Sequence, residues 1–157
     1  MKKTMTFISV MLSLFILFST VFYVRAQRPY RQAKQEAIEV AQAHTNLKYV
    51  DKFYWYNREE DYFSLLGRSE KGEKMYVIIP KSGEKIQLLD PEKGLSEYEA
   101  LKLVEDEFKP HKLLKATIGL HRDIPTWEVV TQNKDKSLNY YLINFEDGQL
   151  QTVLENV

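Results

Sequence analysis

Cysteine is absent from this 157-residue chain. That excludes a disulfide framework, a lipoprotein anchor and any thiol nucleophile. An exported domain of this composition must rely on its core alone. That suits an exporter that does not depend on disulfides, as in many Gram-positive bacteria. Lys/Arg runs and basic stripes are also missing, which argues against nucleic acid and anionic polymers as partners. The charge is balanced at 22 basic and 22 acidic residues. With Lys2, Lys3 and Arg25 set aside, 19 basic residues face all 22 acids, a formal net of −3 for the rest of the chain.

Signatures of chemistry are lacking too. His44, His111 and His121 are not spaced as HExxH or as any i, i+3 or i+4 pair, so no zinc site is expected. No Gly-x-Ser-x-Gly, Walker loop or Gly-x-Gly-x-x-Gly occurs. Glu59-Glu60-Asp61 is the nearest thing to a carboxylate site, and adjacent acids at a hairpin tip read as a solvated turn. Glu105-Asp106-Glu107 reads as the polar side of a helix. The expectation is a protein with no catalytic residues, no metal, no cofactor and no small-molecule substrate.

Long apolar runs are limited to one. Thr4 to Val24 carries no charge between Lys3 and Arg25. As a helix of 1.5 Å rise per residue, such a run spans roughly 31 Å, the thickness of a hydrocarbon core. Residues 1–25 therefore read as a cytoplasmic tail and transmembrane signal anchor. Lys2 and Lys3 give a signal-like basic start, and Val24-Arg25-Ala26 resembles a cleavage site. The run is too long for an ordinary signal peptide, and bulky Phe22 and Tyr23 precede the site. Arg25, Arg28 and Arg31 on the far flank deprive the positive-inside rule of a clean vote. A short tail ahead of a signal-like segment exports the chain behind it, so residues 26–157 are expected outside the cytoplasm on a single-pass anchor in the cell membrane.

The remaining 130 or so residues repeat one pattern. Gln32 to His44 reads as a helix, with Ala33, Ala37, Val40, Ala41 and His44 on one face. Four β-like runs come next, at Lys48–Tyr56, Asp61–Arg68, Lys74–Pro80 and Glu84–Leu89. Asp90 to Gly94 breaks the pattern, with 91–94 as a linker between units at 26–90 and 95–157. Ser96 and Glu99 have capping-box spacing and open a second helix, which Pro110 ends. Four more runs complete the chain, at Leu113–His121, Thr126–Gln132, Leu138–Phe145 and Leu150–Glu155. Glu36-Ala37-Ile38 matches Glu99-Ala100-Leu101 at an offset of 63. Tyr76-Val77-Ile78 matches Tyr141-Leu142-Ile143, and Gly83 matches Gly148, at 65. Such a period implies duplication. The order predicts an α+β fold in which each unit is one helix packed on an antiparallel four-stranded sheet. Units this small are marginal alone and should pack together.

The run Phe53-Tyr54-Trp55-Tyr56 stands out. Alternation puts Phe53 and Trp55 on one sheet face and Tyr54 and Tyr56 on the other, so both are aromatic. The matching run, Lys112–His121, alternates apolar and polar. One pair therefore faces outside its own unit's core, either against the second unit or as a partner-binding patch. These four residues are the candidate interaction site.

The aromatic run ending in Asn57, the Tyr62–Gly67 and Tyr76–Pro80 strands, Gly72, the Gly83 turn, and Tyr140-Tyr141-Leu142-Ile143-Asn144-Phe145-Glu146-Asp147-Gly148 behind an N-terminal anchor resemble the YpmB/TseB family of Firmicutes. The resemblance implies tandem cystatin-like, PepSY-like domains outside the membrane. It implies a regulator of cell wall elongation whose partner is a class B penicillin-binding protein, a peptidoglycan transpeptidase. The family supplies no catalytic residues to carry over. Arg58 stands where the family often has Gly. PepSY-like domains elsewhere suggest an alternative, an inhibitor or binder of an extracellular protease or peptide.

Overall fold

The computed structural model describes residues 2–83 and 85–157, with side chains from Phe7 onward. Residues up to Glu36 form one unit and residues 37–157 another.

The first unit is helical. α1 runs from Lys2 to Ala26 and α2 from Arg28 to His44, with its residues from Ala37 onward counted in the second unit. Gln27 N–H donates to Tyr23 O and Arg31 N–H to Gln27 O, both at 3.1 Å, so α1 passes into α2 with one irregular residue. Pro29 is tolerated there because the first turn of a helix needs no N–H from it. α2 thus begins four residues before the expected Gln32. Hydroxyls on α1 are satisfied within the helix, as a lipid setting requires: Ser13 donates to Ser9 O at 2.9 Å and Thr20 to Ile16 O at 2.8 Å. Phe7, Phe15, Phe18 and Phe22 are each at least 67% exposed. One apolar N-terminal helix fit to serve as a membrane anchor is present.

The second unit contains two antiparallel sheets. Sheet A has the order β1-β2-β3-β4, with β1 Tyr49–Asn57, β2 Asp61–Arg68, β3 Lys74–Pro80 and β4 Gln87–Leu89. β4 is shorter than expected, and Glu84 lies outside the described residues. After a 3-10 turn at Pro91–Lys93, α3 spans Glu97–Phe108. Ser96 and Glu99 form the expected capping box, and Lys109 closes the helix in a left-handed conformation. Sheet B has the order β5-β6-β7-β8: Lys112–His121, Ile124–Gln132, Leu138–Asn144 and Leu150–Leu154. The expected α+β class, a helix with a four-stranded antiparallel meander twice over, is what the chain forms.

The ladders fix the correspondence between halves. β1 and β5 share a bulge, between Val50 and Lys52 and between Leu113 and Lys115. From there Tyr54, Ser64 and Ile78 lie side by side in sheet A, as Thr117, Glu128 and Leu142 do in sheet B. The offset is therefore 63 in β1, 64 in β2 and β3, and 65 only at β4, where Gln87 corresponds to Thr152. This corrects the sequence match at β3: Tyr76 corresponds to Tyr140, not Tyr141. One residue more separates the paired positions of β5 and β6 than those of β1 and β2, and a sequence offset cannot place that insertion.

Each sheet accordingly has one face of matching positions. In sheet B, Ala116, Ile118, Trp127, Val129, Tyr141 and Ile143 join Ala100 and Val104 of α3 in the core. The matching positions in sheet A are Phe53, Trp55, Phe63, Leu65, Val77 and Ile79. All but Trp55 are at most 9% exposed. Ala37 and Ala41 of α2, the counterparts of Ala100 and Val104, are 2% and 0% exposed, and small side chains let a helix lie close to a sheet. The other face of sheet A, with Tyr54, Tyr56, Tyr62, Tyr76 and Ile78, joins the core of sheet B. The two halves share that interior, while Phe53, Leu65 and Val77 are buried outside it on the opposite face of sheet A.

Candidate functional site

The seam between the sheets is where the candidate residues meet. β5 is an edge strand of sheet B, and an unpaired edge invites foreign pairing. Sheet A covers it. Ser64, fully buried on β2, donates from Oγ to Ile118 O at 2.7 Å, satisfying a β5 carbonyl. Gly119 makes the close approach possible, because a Cβ there would sit 2.4 Å from Tyr56 Cγ.

Around that contact the tyrosines of β1 and β3 close on Trp127. Its ring meets Tyr54 edge-on at 5.6 Å and Tyr76 at 5.9 Å between centroids, a favoured quadrupole geometry. Trp127 Nε1 donates to Leu95 O at 2.8 Å, so its one polar atom is satisfied although the residue is wholly buried. Tyr54 donates its hydroxyl to Glu97 Oε2 at 2.8 Å, and Lys52 reaches the same oxygen. Glu97 opens α3, where a carboxylate is favoured by the helix dipole.

Burial dominates the electrostatics of this seam. It holds the Tyr54 hydroxyl well above the ordinary tyrosine range, and the bond to Glu97 adds to it. Burial likewise raises Tyr56, reinforced by the Glu128 charge. Tyr76 is pushed up to about 12 by burial, then by Glu97. Tyr62 rises to about 12 through burial and its bond to Glu60. These phenols stay neutral and act as wedges and donors.

At the far end of the seam Arg58 crosses to sheet B. Its Nε donates to Glu128 Oε2 at 2.9 Å, and its guanidinium lies 5.5 Å over the Tyr140 ring. The Glu128 side chain is 6% exposed, so the pair is substantially desolvated. Sequence reasoning missed Arg58, Glu97 and Glu128. A signal existed for one of them: Glu128 is a lone acid inside an otherwise uncharged strand, and a buried acid needs a cation.

Of the four candidate interaction residues, Tyr54 and Tyr56 are 4% and 1% exposed and face the second half. Phe53, 8% exposed, stacks at 6.0 Å on Phe63. Trp55 meets Phe63 edge-on at 5.3 Å and is half-buried, the most accessible of the four.

The acids and histidines are dispersed. Asp61 pairs with Lys81 at 2.9 Å, Glu60 accepts from Tyr62 at 2.9 Å, and Glu59 lies 3.8 Å from His121 Nδ1. His44 is exposed, with Nδ1 2.9 Å from Val40 O. Among the described residues no group of three His, Asp or Glu side chains is placed to hold a metal ion.

Comparison with known proteins accords with this architecture. Residues 36–80 match the family described as the cell wall elongation regulator TseB-like domain. A Bacillus subtilis (strain 168) protein, named as a probable cell wall elongation regulator, TseB, is 26% identical over 144 residues, covering 90% of this chain and 87% of the relative. Both similarities point to TseB. The solved YpmB protein from Bacillus subtilis has a similar fold, with a TM-score of 0.69 at 24% identity over 77% of this chain and 95% of that structure. The TseB-like match contains the aromatic strand β1 and Arg58, so the residues that build the seam from sheet A lie within it.

Proposed function

We propose that this chain regulates cell wall elongation without doing chemistry itself, as a single-pass membrane protein with residues 26–157 outside the cytoplasm. It acts by binding a class B penicillin-binding protein. The observation that carries this reading is the similarity to TseB over 90% of the chain. The architecture supports it. Both faces of sheet A are committed to packing, and the acids at the β1–β2 turn are tied to neighbours, which suits a rigid binding body. Tethering supports it too, because confinement beside the membrane raises the effective concentration of one anchored protein toward another.

Trp55 is the residue of the aromatic strand that a partner would reach, with Phe53, Tyr54 and Tyr56 holding its strand in place. The test is in-cell crosslinking of full-length protein, then identification of captured proteins, with a Trp55→Ala variant whose fold is verified by circular dichroism. Recovery of a penicillin-binding protein by the parent and its loss in the folded variant is the expected result. Recovery by both leaves the partner and removes Trp55 as the contact. Capture of a secreted protease with no wall synthase overturns the reading.

A further inference from the structure

The balanced charge of this chain conceals a division. Up to Glu36 there are six basic residues and one acid; from Ala37 onward there are 16 basic residues and 21 acids. Two formal nets, +5 and −5, cancel. Contrary to the expectation of no basic stripe, four of the six N-terminal cations, Arg25, Arg28, Arg31 and Lys34, recur every third residue directly after the apolar run, and no acid intervenes before Glu36. All four are exposed, and none forms an ion pair among the described residues. By contrast Lys48, Lys52, Arg58, Arg68 and Lys81 of the second unit each have a carboxylate partner.

We propose that Arg25, Arg28, Arg31 and Lys34 form a seat for the phosphate groups of anionic phospholipids, in the leaflet on the side where residues 25–157 lie. Three physical arguments choose this ligand. The first is reach. On a helix rising 1.5 Å per residue, Arg28 stands about 4.5 Å beyond Arg25 and Lys34 about 14 Å beyond it. The headgroup zone is about 5–8 Å deep on each side. Arg25 and Arg28 fall within it, and Arg31 and Lys34 stand within about a Debye length of its surface. The second is direction. Side chains on an α-helix lean toward its N-terminus, and here the N-terminus leads into the apolar span. All four cations therefore lean back toward the bilayer, with flexible stems that let the charge settle at the interface. The third is company. Tyr23 and Tyr30, 64% and 43% exposed, flank Arg25 and Arg28 as interfacial aromatics do. The seat is independent of which side of the membrane carries residues 37–157. It rests on α1 being a membrane span.

The chain lacks cysteine, so Gln32→Cys gives a unique labelling site within the segment. Full-length protein bearing a spin label there is placed in nanodiscs of phosphatidylcholine alone or mixed with phosphatidylglycerol. Collision with a water-soluble nickel complex is then measured. The expected result is several-fold lower accessibility in the anionic discs. The difference should disappear in about 1 M salt, where screening shortens to about 3 Å. It should also disappear in the Arg25→Gln/Arg28→Gln/Arg31→Gln/Lys34→Gln variant, and Lys34→Gln alone should reduce it partly. Equal accessibility in both lipids overturns the proposal. Protection that arises only when soluble polyphosphate is added to phosphatidylcholine discs also overturns it, in favour of a polymer ligand. Failure of the full chain to enter nanodiscs overturns the span and the seat together.

Discussion

Sheets A and B correspond strand for strand and share a bulge, yet their second faces differ in chemistry. Sheet A presents Tyr54, Tyr56 and Tyr62; the corresponding positions of sheet B hold Thr117, Gly119 and Thr126. Ser64 corresponds to Glu128. The large side chains are on one partner and the small ones on the other, which is how two copies of a unit become complementary. Tyr56 sits where Gly119 leaves room, and Glu128 accepts the guanidinium that the β1–β2 turn delivers. After a duplication each copy can specialise for the other, and the cost is that neither retains a self-sufficient surface.

The comparison breaks hardest at Trp127 and its counterpart Phe63. Trp127 is wholly buried, ringed by Tyr54 and Tyr76, and bonded to Leu95. Phe63, 9% exposed, touches Phe53 and Trp55 within its own sheet. Trp127→Ala should cost about 4 kcal/mol, and Phe63→Ala about 3 kcal/mol. Against a total stability of about 5–15 kcal/mol, the first change threatens folding. Urea unfolding of both variants checks the order. An equal or larger loss at Phe63 would mean that sheet A depends on its own face more than on the seam.

Next in size is the buried pair. Glu128→Ala strands Arg58 in a desolvated site and should cost about 3 kcal/mol. The Arg58→Met/Glu128→Leu double variant removes both charges with similar volume and should recover most of that loss. Chemical denaturation of the single and double variants measures the coupling. If Glu128→Ala proves neutral, Arg58 is solvated and the seam is open at that end.

The repeat, the two helices, the eight strands and the apolar N-terminal helix were legible because each rests on local periodicity or composition. Ser96 with Glu99 marked α3, and Pro110 marked its end. The aromatic strand was legible as an anomaly: two aromatic faces on Phe53–Tyr56 where the matching strand alternates. What it meant was not. The β5–β6 insertion shifts the sequence match between the halves by one residue, and one residue flips a face, so the repeat alone does not say which aromatic pair faces Trp127. Lys52 and Tyr54 each lie more than 40 positions from Glu97, and no local pattern joins them to it. The charge division was hidden for a different reason: the balanced total counts a basic N-terminal region against an acidic body.

The smallest expected effect isolates what the tyrosines of sheet A add to their bulk. Tyr54→Phe keeps the ring against Trp127 and removes only the donor to Glu97, so it should cost about 1 kcal/mol at neutral pH. Its larger signature lies in alkali. Tyr54, Tyr56, Tyr62 and Tyr76 all have hydroxyls held above the ordinary value of 10.0 in the folded chain. A raised folded value means that the unfolded state loses its protons first. Their contribution is therefore complete below about pH 10 and lost as the pH climbs through the folded values, with Tyr62 and Tyr76 at about 12. The chain should unfold cooperatively between about pH 10 and 12, and phenolate absorbance should show the tyrosines of the seam ionising with unfolding. Tyr54→Phe removes one of these groups. Its stability deficit against the parent should shrink as the pH rises through that window. A deficit that stays constant would show that Tyr54 ionises without opening the seam, and that sheet A is held to sheet B by ring packing alone.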